Sequence, residues 1–330
     1  MTPDRIGIIE NSYDLGVDER AWTAALLEGL APFMRRGLGC FAYLTGPGGR
    51  VRPDTAVHAE MTPDLMAMFA RLPATEPGMC RRASAQPAIF TTLSEGFSLT
   101  VAQAKRHKAF TQYLHPFGVS DILAFTASGA TGGAIVAAPM PDTRRPTAQD
   151  RRRWAQVAAH VTAGQRLRLR LQEAQSVGAP AAVLDPKRMK VVHAEGEAQG
   201  ASALESLREA AVSMDRARGR LRRSDEDEAL EQWRALVEGR WSLVDQFESD
   251  GRRYLVAHAN APDVIDPRGL TLRERQVLAL AIAGHPLKLI AYELGLSVST
   301  ISTHRTDAMR KLGIRSLTEL AAIGPVPGPG

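Results

Sequence analysis

The stretch "LSVSTISTHRTDAMRKL", Leu296 to Leu312, gathers hydroxyls and cations into a segment whose apolar residues recur at helical spacing. With Ile301 at zero on a helical wheel, Arg305, Ala308 and Leu312 fall within about 40° of it. Ser299, Ser302, Thr303, Thr306, Asp307 and Arg310 take the opposite arc. Serine and threonine form helices less well than glutamate, lysine or alanine, because their hydroxyls compete for backbone groups. An outer face built from them therefore asks for a purpose beyond helix formation. Short hydroxyls beside cations suit close approach to a hydrogen-bonding polyanion. The formal net charge of +5 and pI near 9.5 permit such a partner.

Other residues that could do chemistry form weaker sets. His107 and His115 flank "KAFTQYLHPFG" and could ligate haem or a metal, but they lie eight residues apart on a helix ending at Pro116 and make no chelating pair. Cys40 reads as a core thiol. Cys80, beside Arg81 and Arg82, is the better redox candidate, since cations favour the thiolate, although an inert thiol is the plainer reading. Two cysteines give neither a disulfide framework nor a zinc cluster. "GPGG" (Gly46 to Gly49) and "SGATGGA" (Ser128 to Ala134) lack the context of phosphate loops and read as hairpin turns. With no G-x-S-x-G and no H-E-x-x-H, neither catalysis nor a cofactor is expected. No apolar run reaches the roughly 18 residues of a membrane span, and no secretory signal opens the chain. A cytoplasmic protein with no membrane partner is expected.

The hydroxyl face needs elements to hold it. Thr271 with Glu274 forms a capping box that starts a helix at Leu272, with Val277, Leu278, Ala281 and Ile282 inward and Gly284 at its end. Pro286 restarts the chain into "LKLIAYEL", whose apolar residues are Leu287, Ile290, Ala291 and Leu294. Gly295 supplies a tight turn, Ser297 caps the third helix, and Gly313 ends it. Ser316 with Glu319 opens a fourth helix through Ile323. Four short helices with a glycine-turned pair in the middle make a helix-turn-helix.

On these residues the segment resembles the DNA-binding domain of LuxR/NarL/FixJ-type transcription regulators. Leu270, Thr271, Arg273, Glu274, Val277, Leu278, Ala283, Gly284, Lys288, Ile290, Ala291, Leu294, Ser297, Thr300, Ile301, His304, Lys311 and Leu312 match without a gap. Pro286 and Leu287 depart from the small polar residues usual there. The resemblance implies a recognition helix in the major groove of double-stranded DNA, its N-terminal residues nearest the bases. Ser302, Thr303 and Thr306 would then face bases, with Arg310 on the same outward arc and Arg305 snorkelling out from the apolar edge. Lys288, Ser299, Thr300 and Lys311 would hold phosphates, fixing register without reading sequence. His304 would brace the helix or touch the DNA backbone. Hydroxyls that both donate and accept would give permissive readout. A homodimer on a two-fold operator is implied too, with Asp150 to Leu171 and Leu317 to Ile323 as dimer surfaces.

Three seams divide the chain: "SVGAP" (Ser176 to Pro180), "APDVIDPRG" (Ala261 to Gly269) and the tail "GPVPGPG". In the first block, Trp22, Leu26, Leu27, Leu30 and Phe33 mark a helix, and "LGCFAYLT" pairs through "GPGG" with "RVRP". Helices follow around Pro63 to Leu72 and Val101 to Leu114. "DILAFTAS" and "GGAIVAAPM" form a second strand pair. A long exit helix carries Trp154, Val157, Val161, Leu167 and Leu171. This order resembles GAF/PAS sensory domains. The second block repeats the theme: a hairpin turning at Asp185-Pro186, a helix through Leu204, Leu207, Ala211 and Met214, and another through Leu230, Trp233 and Val237. A closing hairpin alternates Trp241, Leu243 and Phe247 with Leu255, Ala257 and Ala259 about a two-residue Asp250-Gly251 turn.

The expectation is thus an α+β chain. A GAF-like sensory domain with its exit helix spans 1–175, a PAS-like domain 180–261, and a LuxR-type DNA-binding domain 266–324. A small-molecule ligand in residues 1–175 and RNA polymerase are the further partners this organisation admits. The cue would change how the DNA-binding domains are presented across the 261–269 linker. Two rivals are a regulator working by protein contact and a response regulator with a degenerate receiver. The receiver would need "RIGIIENSYD" as a first strand, with Glu10, Asp54 and Lys105 as its site. An acyl-homoserine-lactone pocket fits poorly, since Asp185-Pro186 lies in the wrong block.

Overall fold

The computed structural model describes residues 4–34, 36–46, 49–84, 89–129, 132–174, 180–233, 235–237, 241–247, 253–259, 271–312 and 316. The chain divides into two compact units, Met1–Gln165 and Arg166–Gly330.

In the first unit, α1 (Arg5–Ser12) is capped by Asp4, whose carboxylate accepts from the Gly7 amide at 2.7 Å, and α2 (Glu19–Met34) follows. β1 (Cys40–Thr45) and β2 (Val51–Ala59) pair antiparallel. Then come α3 (Pro63–Thr75), α4 (Pro77–Ser84), β3 (Phe90–Thr92) and the short helices α5 (Leu93–Gly96) and α6 (Val101–Ala104). β4 (Asp121–Gly129) and β5 (Gly132–Met140) make the central hairpin, and α7 (Ala148–Ala174) leaves the sheet. The strand order is β2-β1-β5-β4-β3. The helix expected from Val101 to Leu114 is broken: α6 stops at Ala104, and a wide turn at Phe110–Leu114 and a 3-10 turn at His115–Phe117 follow. "RIGIIENSYD" is helical at Arg5–Ser12 instead of a strand, and Asp54 is exposed on the edge strand β2. The described pairings are antiparallel, which a receiver's parallel sheet would not give.

Both faces of this sheet are covered, which is why every residue of β5 is buried. On one face Trp154 of α7 meets Phe125 of β4, Phe90 of β3 and Phe33 of α2. The Arg5 guanidinium lies 4.9 Å from the centres of both the Phe33 and Trp154 rings, so its charge rests on aromatic faces. The other face carries Ile122 and Ala137 against Leu65, Met68, Leu72, Phe110 and Leu114. Arg151 fixes the start of α7, donating to the Phe90 carbonyl at 3.0 Å and to Glu95 at 2.9 Å. Burial alone would raise the Glu95 carboxyl, but the Thr92 amide and the Arg151 guanidinium hold it below its ordinary range.

A polar seam joins α1 to α7. The Tyr13 hydroxyl and His160 Nδ1 share a 2.9 Å hydrogen bond, and the Trp22 indole donates to the Ser12 carbonyl at 3.1 Å. His160 is fully buried, and burial pushes its pKa down to about 3. The unfolded chain therefore binds a proton near pH 6.5 that the folded chain refuses until about pH 3. Stability is present above pH 6.5 and lost as pH falls below it. Between pH 7.5 and 5.5 the wild-type chain should lose about 1.4 kcal/mol more than His160→Gln in urea unfolding. Equal losses would mean that His160 titrates normally.

In the second unit, β6 (Ala182–Asp185) and β7 (Lys190–Ala194) form the expected hairpin, with Asp185 accepting from the Lys187 and Arg188 amides. α8 (Ala201–Arg216) buries Leu207, Ala211 and Met214, and after a kink at Gly219 come α9 (Arg222–Ser224) and α10 (Glu226–Gln232). Leu230, Trp233 and Val237 do not share a helix: α10 ends before Trp233, and Val237 lies in β8 (Leu236–Val237). β9 (Trp241–Phe247) and β10 (Arg253–Ala259) close the sheet in the order β7-β6-β10-β9-β8. Phe247 pairs with Arg253, whereas a two-residue Asp250-Gly251 turn would pair it with Tyr254, so the register differs by one from that expected. Asp250 and Gly251 lie outside the described residues. Asp245 takes Arg218 and Arg253, and Arg253 also reaches Asp215 at 2.8 Å. Arg218 in turn stacks over Trp233.

The two sheets share one strand order, although the sequence shows no internal repeat. Helices α11 (Leu272–Ile282), α12 (Leu287–Leu294) and α13 (Val298–Leu312) complete the second unit. Among the described residues, no helix is long and apolar enough to cross a membrane. The 261–269 linker and the fourth helix expected at Leu317 to Ile323 lie outside the described residues.

Candidate nucleic-acid interface

α11 begins at the predicted capping box. The Thr271 amide donates to Glu274 Oε2 at 2.8 Å, and the Glu274 amide donates to Thr271 Oγ1 at 3.3 Å. Val277, Leu280 and Ala281 pack on Ile290, Ala291 and Leu294 of α12 and on Ile301 of α13. Ile282, expected inward, is exposed. Pro286 leaves α12 intact: its carbonyl receives the Leu289 and Ile290 amides, so the helix starts at Leu287. Glu293 is buried, with its carboxylate 3.5 Å from His285 Nδ1.

Gly295 then ends α12 with φ of 64°, a left-handed conformation that a side chain would oppose. Its neighbour Leu296 donates to the Ala291 carbonyl at 2.9 Å, which folds the chain back for α13. Ser297 caps α13, accepting the Thr300 amide at 3.0 Å, and its hydroxyl also meets those of Ser299 and Thr300 at 2.7 Å each. The Tyr292 hydroxyl donates to the Leu230 carbonyl at 3.0 Å, which ties α12 to the end of α10.

α13 turns the expected sides. Ile301 and Ala308 are buried, and Ser299, Thr303 and Thr306 are exposed, as is Lys288 on α12. Thr300, Ser302, His304, Arg305 and Asp307 are half-buried. The side chains of Arg310, Lys311 and Leu312 lie outside the described residues.

Two details differ from expectation. The Thr303 and Thr306 hydroxyls, expected both to donate to and to accept from bases, donate to the Ser299 and Ser302 carbonyls at 3.1 and 2.9 Å. Such back-bonding is the local alternative that a threonine finds on a helix. Val298, not singled out by its type, is exposed in the first turn; its place just after the Ser297 cap was the signal available.

The other candidates do not gather into a site. His107 packs edge-on to Phe110 and tilts against Phe97, and His115 sits in the 3-10 turn. Among the described residues, no group of three His, Cys, Asp or Glu side chains could hold a metal ion. Cys80 behaves contrary to its sequence neighbourhood: burial, then the charge of Glu76, pushes its thiol up to about 11. Cys40 is fully buried.

Residues 268–323 match the profile of the family described as "Bacterial regulatory proteins, luxR family". The C-terminal segment is a LuxR-family helix-turn-helix domain. The chain is similar to "Transcriptional regulatory protein FixJ" of Rhizobium meliloti (strain 1021), 35% identical over 92 residues, which is 27% of this chain and 45% of that protein. It is 50% identical over 52 residues to "Transcriptional regulatory protein UhpA" of Escherichia coli (strain K12), covering 16% of this chain and 26% of that one. "Oxygen regulatory protein NreC" of Staphylococcus aureus (strain JH9) is 36% identical over 80 residues, 24% of this chain and 34% of that one. The matches span less than half the length of each of these relatives. In the LuxR-family domain, the capping box, the Gly295 turn and the Ser297 cap are the local devices that aim α13.

Proposed function

We propose that the chain is a one-component, DNA-binding transcription regulator. In this reading residues 1–175 and 180–261 are GAF/PAS-like sensory domains that control promoter binding by the helix-turn-helix of residues 266–324. The observation that carries it is the exposed hydroxyl face of α13, set opposite a side that buries Ile301 and Ala308. Ser302, Thr303 and Thr306 are assigned to bases, Lys288, Ser299, Thr300 and Lys311 to phosphates, and His304, Arg305 and Arg310 to supporting contacts. One strand order used twice supports a pair of related sensory modules. The reading includes a cytoplasmic homodimer on a two-fold operator and a small-molecule cue in the first module.

The test is a gel shift of the full chain on the DNA upstream of its own reading frame, at 50 and 200 mM salt. Affinity should fall steeply, with a slope of about 0.9 in log affinity per log salt for each phosphate contact. Lys288→Ala should weaken all sequences alike and lower that slope by about 1. Binding indifferent to salt and to Lys288→Ala would favour a regulator acting through contact with RNA polymerase.

A further inference from the structure

The segment "RARGRLRRSDEDEALE", Arg216 to Glu231, holds five arginines and then five acids. Arg218 is engaged by Asp245 and the Trp233 ring, and Arg222, Glu226 and Asp227 are half-buried with contacts inside the chain. The other six are exposed: Arg216, Arg220 and Arg223, then Asp225, Glu228 and Glu231. Among the described residues, none of these six makes an ion pair. The acids recur at every third residue, so they line one face of α10 while Ala229 and Leu230 are buried. Helix electrostatics accounts for part of the pattern: Asp225 caps α10, accepting the Glu228 amide at 3.0 Å, and Arg216 closes α8. It gives no reason for Glu231, which sits at the carbonyl end of α10 where a cation would be preferred. A solvated helix gains from opposite signs three or four residues apart and loses from like signs there. Here like signs stand together, and the opposite signs form separate blocks on either side of Ser224. That arrangement is complementary to itself. A two-fold axis beside Ser224 lays the residues before it in one copy on the residues after it in the other.

We propose that the surface from Arg216 to Glu231 joins two copies of this chain, the exposed arginines of each meeting the exposed acids of the other. This rests on the homodimer reading above and gives it a surface distinct from residues 150–171 and 317–323. Exposed ion pairs set orientation and partner choice more than affinity, so the contact fixes which faces meet and weakens with salt. It also bears on DNA. The Leu230 carbonyl of α10 takes the Tyr292 hydroxyl of α12 at 3.0 Å, so a dimer joined here sets the separation of two α13 helices, the distance that a two-fold operator measures.

The experiment is sedimentation equilibrium of the full chain without DNA, at about 50 and about 500 mM salt, where the wild-type dimer should weaken as salt rises. Arg216→Glu, Arg220→Glu and Arg223→Glu together make the whole surface acidic. Asp225→Asn, which keeps the cap, with Glu228→Lys and Glu231→Lys makes it basic. Each triple variant alone should dimerise at least about ten-fold more weakly than wild type, since like charges then face each other. An equal mixture should regain dimers, each pairing an acidic copy with a basic one. A folding defect cannot be rescued by mixing. Wild-type dimers matched by both variants, or a mixture no tighter than either variant alone, would overturn the surface. A wild-type chain that stays monomeric at every concentration would overturn the homodimer reading itself, a distinct outcome.

Discussion

Thr303→Glu should lower affinity for duplex DNA by roughly a hundred-fold or more at moderate salt, since like charges forced together across an interface cost several kcal/mol. The position is exposed on the face assigned to the groove, so the new carboxylate would meet phosphates on both sides with little room to leave. The fold should tolerate the change. Thr303 contributes no core contact, and its one described hydrogen bond is to the Ser299 carbonyl within its own helix. Glutamate is also the better helix former. Fluorescence anisotropy on a duplex from the upstream DNA and a thermal melt separate the two effects. Thr303→Gln, similar in size to the glutamate but uncharged, should lose far less. Wild-type affinity for Thr303→Glu, with an unchanged melt, would mean that α13 does not face DNA.

What the sequence made legible here follows the range of the forces involved. The three helices of the LuxR-family domain could be bounded to the residue because their limits are local: a threonine and a glutamate three apart, a proline, a glycine in left-handed conformation, a serine cap. The Thr303 and Thr306 hydroxyl directions were not legible, since an outward donor and a back-bonded one share the same wheel position. Longer-range effects were read less well. Apolar spacing from Val101 to Leu114 suggests one helix, but packing Phe110 and Leu114 against the sheet breaks it. Leu230, Trp233 and Val237 keep helical spacing while serving a helix end and a strand. Cys80 shows the same limit in electrostatics: sequence places two arginines beside it, and the fold supplies burial and Glu76. The shared strand order of the two sheets was legible as a repeated order of elements but not as a repeat of residues, because pairing constrains which positions are apolar far more than which residues fill them.

The second large effect is expected at Gly164, in the helix that leaves the first unit. Exposed glycines in helices usually gain about 0.5–1 kcal/mol on replacement by alanine. Gly164→Ala should do the opposite. A Cβ there would lie 2.1 Å from the Ser12 carbonyl oxygen and 2.8 Å from its carbonyl carbon, and both are backbone atoms with no rotamer to retreat into. Ser12 is further held by its own hydroxyl bond to the Ile8 carbonyl and by the Trp22 indole, while Tyr13 beside it is bonded to His160 on α7. The methyl must therefore separate α1 from α7, which strips contact from a close-packed seam and costs about 2–4 kcal/mol, the upper range for overpacking. For a unit of this size that is a drop in Tm of roughly 5–15 °C. Gly78→Ala is the matched control: it too is a helical glycine, but nothing lies within 4 Å of its added Cβ, so its Tm should hold or rise slightly. If Gly164→Ala melts with Gly78→Ala, the two helices do not meet backbone to backbone. If it melts well below, the seam is a rigid joint, and α7 leaves the first unit clamped to α1 and unable to slide along it.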